Sequence, residues 1–252
     1  MNFLITGATS GLGHELFKSL AENKENNFFL ISRNQNKLVK IKKNYKNTYV
    51  YSLNLNEIEK TREISKKIIN DSENRIDVLI CNAAEGSFGN MQDIPFIKYK
   101  ENVNINFFSH LILIKAIYPL MDSNNFGHII NISSGAAILG IKGSSSYSAS
   151  KSSMQILMES MYFENLDKNI HPKNFFPGLI NTTFDQKNIT YGNFEKLPLI
   201  KKKNVDVIAK IISKKLFQKK LNIFCQPSPF IAFIIKTFPF LEKVRQFING
   251  LG

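Results

Sequence analysis

The chain has 252 residues, of which 43% are hydrophobic and 21% charged, a balance that excludes a disordered or low-complexity protein and suits one globular domain with a sizeable core. Lys and Arg number 33 against 20 Asp and Glu, a formal net charge of +13. The lysines are spread along the sequence, with clusters only at 201–203 and at Lys214, Lys215, Lys219 and Lys220, so they read as solvated surface and no nucleic-acid function is expected.

Met1-Asn-Phe-Leu-Ile-Thr6 lacks the basic region and long apolar run of a secretory leader, and it reads as a first strand over 2–6. It runs into Thr6-Gly7-Ala8-Thr9-Ser10-Gly11-Leu12-Gly13, which opens an amphipathic helix over 11–24. Glycine at 7, 11 and 13 permits a tight turn and close backbone approach. The turn delivers a helix N-terminus whose free N–H groups and dipole suit a pyrophosphate. A second strand, Asn27-Phe-Phe-Leu-Ile-Ser32, ends where a dinucleotide fold meets the adenosine ribose. An acidic residue there would bond the ribose hydroxyls and repel a 2′-phosphate. Ser32-Arg33 offers a hydroxyl and a guanidinium instead, which favours NADP(H) over NAD(H).

Apolar runs and helical periods then alternate to the end. Strands are predicted at 48–53, 76–81, 127–133, 170–176 and 221–225, and helices at 34–44, 56–72, 97–121, 147–168 and 204–217, with a last helix inside 229–249. With right-handed crossovers this is an α/β fold: a single-domain, doubly wound Rossmann architecture over 1–252, with a seven-stranded parallel sheet and helices on both faces. Pro172 would remove a ladder donor from a central strand, so it is placed at the start of its strand. Cys81 and Cys225 lie in apolar contexts without ligand spacing, so neither a disulfide framework nor a metal site is indicated. No segment approaches the roughly 18 uncharged apolar residues of a membrane span. A cytoplasmic location is expected.

The chemistry gathers in the second half. Tyr147-Ser-Ala-Ser-Lys151 opens a helix, and its spacing of four puts phenol and ammonium on one face. A fixed positive charge lowers the phenol's pKa from about 10 and makes Tyr147 a usable acid or base. Ahead of it, His128-Ile-Ile-Asn-Ile-Ser133-Ser134-Gly135 is an apolar strand ending in serines, in the crevice where open parallel sheets bind ligands. A hydroxyl there can hydrogen-bond a substrate oxygen as charge develops, and Ser134 is the choice of the two.

These motifs resemble the short-chain dehydrogenase/reductase superfamily across nearly the whole length. Thr6 to Gly13 matches its TGxxxGxG motif, Cys81-Asn82-Ala83-Ala84 resembles NNAG, Tyr147 to Lys151 is YxxxK, and Pro177-Gly178-Leu179-Ile180-Asn181-Thr182 resembles PGxxxT. Ser134 holds the catalytic serine position, thirteen residues before the tyrosine, and Asn104 in Val103-Asn104-Ile105 matches the helix asparagine. The resemblance implies that Tyr147 exchanges the substrate proton while Lys151 lowers its pKa and binds the nicotinamide ribose. It implies that Ser134 polarises a carbonyl, that Asn104 holds a proton-relay water, and that Thr182 with the backbone before it meets the nicotinamide amide. The implied protein is an NADP(H)-dependent oxidoreductase acting on small carbonyl or alcohol substrates, as a homodimer or homotetramer. An intact Ser134, Tyr147, Lys151 and Asn104 set disfavours the alternative, a regulatory or partner-binding protein that kept the fold without turnover.

Some positions depart from the family pattern. Asn54 stands where many members carry an aspartate near the adenine, Ala84 replaces the last glycine of NNAG, and Phe107 occupies a usual helix glycine. After Cys225 the common Val-Asp-Gly-Gly is absent and Gln-Pro-Ser-Pro-Phe-Ile-Ala-Phe follows, which speaks against a ketoacyl reductase of fatty-acid synthesis. Residues 183–203 are expected to form a substrate lid whose mixed composition leaves both a lipid-like or cyclic ketone and a sugar or glycan precursor open. The apolar stripe of 229–251 is expected to cover the pocket or a second subunit, with weak peripheral membrane contact as its alternative.

Overall fold

The computed structural model describes residues 1–182, 184, 189–192 and 202–238. In chain order the first half runs β1 (Asn2–Thr6), α1 (Gly11–Leu20), β2 (Asn27–Ser32), α2 (Gln35–Asn44), β3 (Thr48–Ser52), α3 (Ile58–Asp71), β4 (Val78–Cys81) and the two-residue β5 (Ser87–Phe88). A long helical run follows, made of α4 (Phe96–Val103), a π-helical turn (Asn104–Phe108) and α5 (Ser109–Ser123). Then come β6 (Gly127–Ile132), a short α6 (Gly135–Ile138), α7 (Ser145–Glu164), β7 (Ile170–Phe176), β8 (Ile180–Asn181), β9 (Ile189–Thr190), β10 (Lys203–Asn204), α8 (Val205–Lys215), β11 (Asn222–Phe224) and α9 (Pro227–Thr237).

Seven of the strands make one parallel sheet in the order β11-β7-β6-β4-β1-β2-β3, while β5 with β9 and β8 with β10 form two-residue parallel pairs. The chain winds outward in both directions from β1, so the expected doubly wound Rossmann fold is observed. The crevice lies above the carboxyl ends of β1 and β4. Every residue of β4 and of β6 is buried, as a strand covered on both faces requires. One face packs Phe3, Ile5 and Leu30 against Leu16 and Phe17 of α1, Leu38 of α2 and Ile208 and Ile212 of α8. The other packs Leu4, Phe29 and Ile129 against Ile68 of α3, Leu113 and Ile117 of α5 and Met154 and Met158 of α7.

Three expectations are corrected. Pro172 is the third residue of β7, opposite Ile129 of β6. Its missing N–H costs little because Asn174, two residues on, donates to Leu221 on the β11 side, and β11 begins pairing only at Asn174. Pro172 therefore faces the same side below the end of β11, where no strand waits for a donor. The predicted helix over 97–121 is interrupted by the π turn. And within Phe96–Ser123 an 18-residue stretch has a mean hydropathy of 1.3, which by length and composition could cross a membrane, against the reading that nothing approaches a span. Its Leu113, Ile114, Ile117 and Met121 are instead core positions between α3 and the sheet.

Lys173 is fully buried in β7 and donates to the carbonyls of Leu216 and Gln218, just past α8, and to Nδ1 of His128. An ammonium at a helix C-terminus meets the negative end of the dipole. Burial still pushes Lys173 down to about 8. Burial likewise drives His128, and His110 of α5, down to about 3. Both imidazoles stay neutral in the fold, whereas in the unfolded chain they take up protons near pH 6.5. Their contribution to stability is thus full above 6.5 and is lost as pH falls toward 3, by up to about 4 kcal/mol for the pair at pH 5. The urea midpoint should drop between pH 7 and pH 5, and the drop should shrink in His128→Gln. An equal acid shift in that variant would refute the assignment.

Candidate active site

The glycine-rich turn after β1 has Gly7 and Gly11 at φ of 72° and 55°, a left-handed backbone that favours glycine. A Cβ on Gly13 would collide with the Asn82 amide and the Gly7 carbonyl. At the start of α1 the Ser10 side chain makes no cap hydrogen bond to the helix, and the first turn carries no acidic residue. That positive helix end, reached by a close-packed glycine backbone, fits a pyrophosphate. Leu12 turns its side chain into the core, so only its backbone faces this turn.

Thr6 departs from the expected role of cofactor contact. It is fully buried, and its hydroxyl accepts the N–H groups of Asn82 and Ala83, each at 3.0 Å. Its one proton goes to Nε2 of His110 at 3.0 Å or to the Ile80 carbonyl at 3.3 Å. The Asn82 amide donates to the Thr6 carbonyl at 3.0 Å. Thr6 and Asn82 thus lock the ends of β1 and β4 together, and the two alanines, Ala83 and Ala84, continue half-buried along the crevice.

At the adenosine end, Ser32 shares a 2.5 Å hydrogen bond with Thr9 of the glycine-rich turn. Arg33 reaches Glu85, just past Ala84, with Nη1 and Oε2 3.1 Å apart. Asn54, half-buried past β3, accepts the N–H of Asn56. The loop after β7 is set by a residue that sequence reading missed. Gln226 donates to the carbonyls of Pro177 at 2.6 Å and Leu179 at 3.0 Å, and its side chain packs on Gly178, whose φ is 77°. Ile180 packs on the core, and Thr182 lies beside Gly11, where an added Cβ would meet it at 3.6 Å.

At the other end, α7 carries Tyr147 and Lys151 one turn apart. The Tyr147 ring is half-buried between Phe88 and Phe184, with ring centroids 5.8 and 5.6 Å away. Lys151 is buried and donates from Nζ to the Ile132 carbonyl at 2.7 Å, at the end of β6 beside Ser133 and Ser134. Burial lowers its pKa to about 8. The Cys81 thiol nearby is pushed up by burial to about 12, which leaves it an inert thiol. Ser134 caps α6, accepting the N–H of Ala136 at 3.2 Å, and is half-buried.

The helix asparagine is corrected. Asn104 donates to Oδ1 of Asn56, ahead of α3 and away from α7. Two residues apart on a helix is about 200°, so only one of Asn104 and Asn106 can face α7. It is Asn106, inside the π turn, a form that recurs at functional sites. Its amide donates to Ser150 Oγ and to the Glu85 carbonyl, each at 2.8 Å, while its Oδ1 accepts the Glu85 N–H at 2.9 Å. Asn102, four residues earlier, makes the matching bond to Ser146, four residues before Ser150. That doubled i, i+4 pattern was the signal in the sequence. Phe107 packs partly buried against the core and beside the Phe108 ring.

Of the expected lid, residues 183, 185–188 and 193–201 lie outside the described residues, as do 239–251 of the C-terminal stripe. Among the described residues no group of three or more His, Cys, Asp or Glu could hold a metal ion.

Residues 2–191 match the family model described as short chain dehydrogenase. The chain is 32% identical over 178 residues to epidermal retinol dehydrogenase 2 of Mus musculus, covering 66% of this chain but only 54% of that protein. It is 30% identical over 191 residues to 3-oxoacyl-acyl-carrier-protein reductase FabG of Rickettsia conorii, covering 73% and 74% of the two chains. Among solved structures, a short-chain dehydrogenase from Sphingobium yanoikuyae in complex with NADPH superposes with a TM-score of 0.79 at 19% identity, over 98% of this chain and 94% of that one. One from Burkholderia phymatum in complex with NAD superposes with a TM-score of 0.81 at 15% identity, over 93% and 92%.

Proposed function

The chain belongs to the short-chain dehydrogenase family, an oxidoreductase family, and we propose that it is an NADP(H)-dependent enzyme interconverting an apolar ketone or aldehyde with its alcohol. One observation carries the proposal. Lys151, buried and held on the Ile132 carbonyl two residues before Ser134, stands one helical turn from Tyr147 at the carboxyl end of β6. When bound, the nicotinamide supplies or accepts the hydride; the protein supplies position, a proton and electrostatics. Gly7, Gly11, Gly13 and the start of α1 would hold the pyrophosphate, Thr182 and the Pro177–Gly178 loop the nicotinamide, and Asn82, Ala83 and Ala84 would line the middle of the crevice.

Tyr147 gives its phenolic proton to the substrate oxygen in reduction and takes it back in oxidation. The Lys151 ammonium stabilises the phenolate left behind, and the Ser134 hydroxyl donates to the same substrate oxygen as charge develops. Asn106, rather than Asn104, positions this pair through Ser150. Phe88 and Phe184 flanking the phenol favour an apolar substrate over a sugar, in keeping with the retinol and oxoacyl substrates that the relatives' names carry. Ser32 and Arg33 favour NADP(H). Ile156 and Phe163, seven residues apart on α7 and 54% and 66% exposed, favour a homo-oligomer, which we place in the cytoplasm.

The test is to follow the absorbance of reduced nicotinamide while purified protein meets NADPH and a panel of apolar and sugar carbonyls. Turnover of apolar ketones or aldehydes is expected. Activity confined to sugars would overturn the substrate class, and no turnover in either direction would overturn the enzyme. A second outcome concerns pH. Above about pH 8 Lys151 loses its proton, so NADPH affinity should weaken between pH 7 and pH 9, and Lys151→Met should remove that step. An unchanged step in the variant would assign it elsewhere.

A further inference from the structure

β1 lies between β2 and β4 in the sheet. A side chain at the end of β2 can therefore meet one just past β4 only by crossing above the carboxyl end of β1 and its glycine-rich turn. Arg33 and Glu85 make that crossing, with 3.1 Å between Nη1 and Oε2. The two partners differ in freedom. The Arg33 side chain is 59% exposed and Glu85 26%. Glu85 is also held by its backbone, whose N–H and carbonyl are both engaged by the buried Asn106 amide, itself anchored on Ser150. Glu85 is the member with the anchored backbone, and the more exposed guanidinium is the one freer to move.

We infer that Glu85 is a cofactor-selectivity residue, which holds Arg33 across the adenosine cleft and competes for it with a 2′-phosphate. The inference rests on the proposal that Arg33 meets that phosphate. A cofactor with a plain ribose leaves the pair intact. A 2′-phosphate must take the guanidinium from Glu85 and then lie near a carboxylate whose backbone cannot withdraw. Glu85 therefore reduces the preference for NADPH that Arg33 alone would give. The pair is partly solvated and screened by salt, so the reduction is a matter of several-fold rather than of hundreds.

The experiment measures dissociation constants for NADPH and NADH by nucleotide fluorescence on wild type, Glu85→Gln, Arg33→Ala and the double variant. Glu85→Gln keeps the backbone clasp of Asn106, and an unchanged melting temperature verifies that it folds. It should tighten NADPH roughly three- to tenfold, leave NADH within about twofold, and lose its effect in high salt and in the Arg33→Ala background. Unchanged or weaker NADPH binding in Glu85→Gln overturns the inference. If Arg33→Ala still weakens NADPH selectively, the cofactor proposal survives that failure. If Arg33→Ala weakens both nucleotides equally, or neither, both fall.

Discussion

Tyr147→Phe should lower kcat by about 10²- to 10⁴-fold, the range in which a positioned general acid acts, while leaving NADPH affinity within about twofold. The substitution removes one oxygen and keeps the ring that packs between Phe88 and Phe184, so the fold and the wall of the pocket persist. Tyr147 is half-buried, and water can reach the groups its hydroxyl leaves behind. The loss should fall on kcat with KM nearly unchanged, because a phenol that transfers a proton acts in the transition state and adds little to ground-state binding. Steady-state kinetics with the best carbonyl from the panel, together with a thermal melt, decides the matter. Turnover within tenfold of wild type would remove Tyr147 from the mechanism.

The parts of this site that were legible in the sequence are those fixed by local spacing. The glycine-rich turn after β1 and the alternation of strands and helices depend on residues a few positions apart and are found where expected, and Tyr147 and Lys151, four apart, both lie on α7. What was not legible depends on partners distant in sequence. Thr6 reads as part of a phosphate turn, yet its hydroxyl is engaged by backbone N–H groups 76 and 77 residues away. Gln226 falls in a stretch that only departs from the family pattern, and its grip on the Pro177 carbonyl, 49 residues distant, emerges only when β11 lies beside β7. Pro172 misled in the other direction. The period of the strand was right, but the harmlessness of a missing donor depends on where a neighbouring strand begins. Arg33 after β2 was visible, whereas Glu85, which occupies it, sits past a different strand.

Asn104 and Asn106 put the largest of these discrepancies to a direct test. Asn106→Ala removes two donors and an acceptor, leaving the Glu85 N–H and carbonyl without those partners next to the buried Ser150, which also donates to the Tyr147 carbonyl at 2.9 Å. At about 1–3 kcal/mol for each buried group left unsatisfied, a loss of roughly 2–4 kcal/mol of stability is expected. Asn104→Ala removes a single half-buried bond to Asn56 and should cost under about 1 kcal/mol. Turnover should follow the same order, since the α7 turn that holds Tyr147 and Lys151 leans on Asn106 through Ser150, while the Asn104 amide bonds to Asn56 ahead of α3. Destabilisation alone would reduce the number of folded molecules without changing kcat for each, so rates are normalised to the folded fraction from near-ultraviolet circular dichroism. A normalised kcat at least tenfold lower in Asn106→Ala than in Asn104→Ala would make Asn106 the positioning residue of the Tyr147–Lys151 pair. The reverse order would return the role to Asn104, and equal, wild-type-like rates would make both asparagines purely structural.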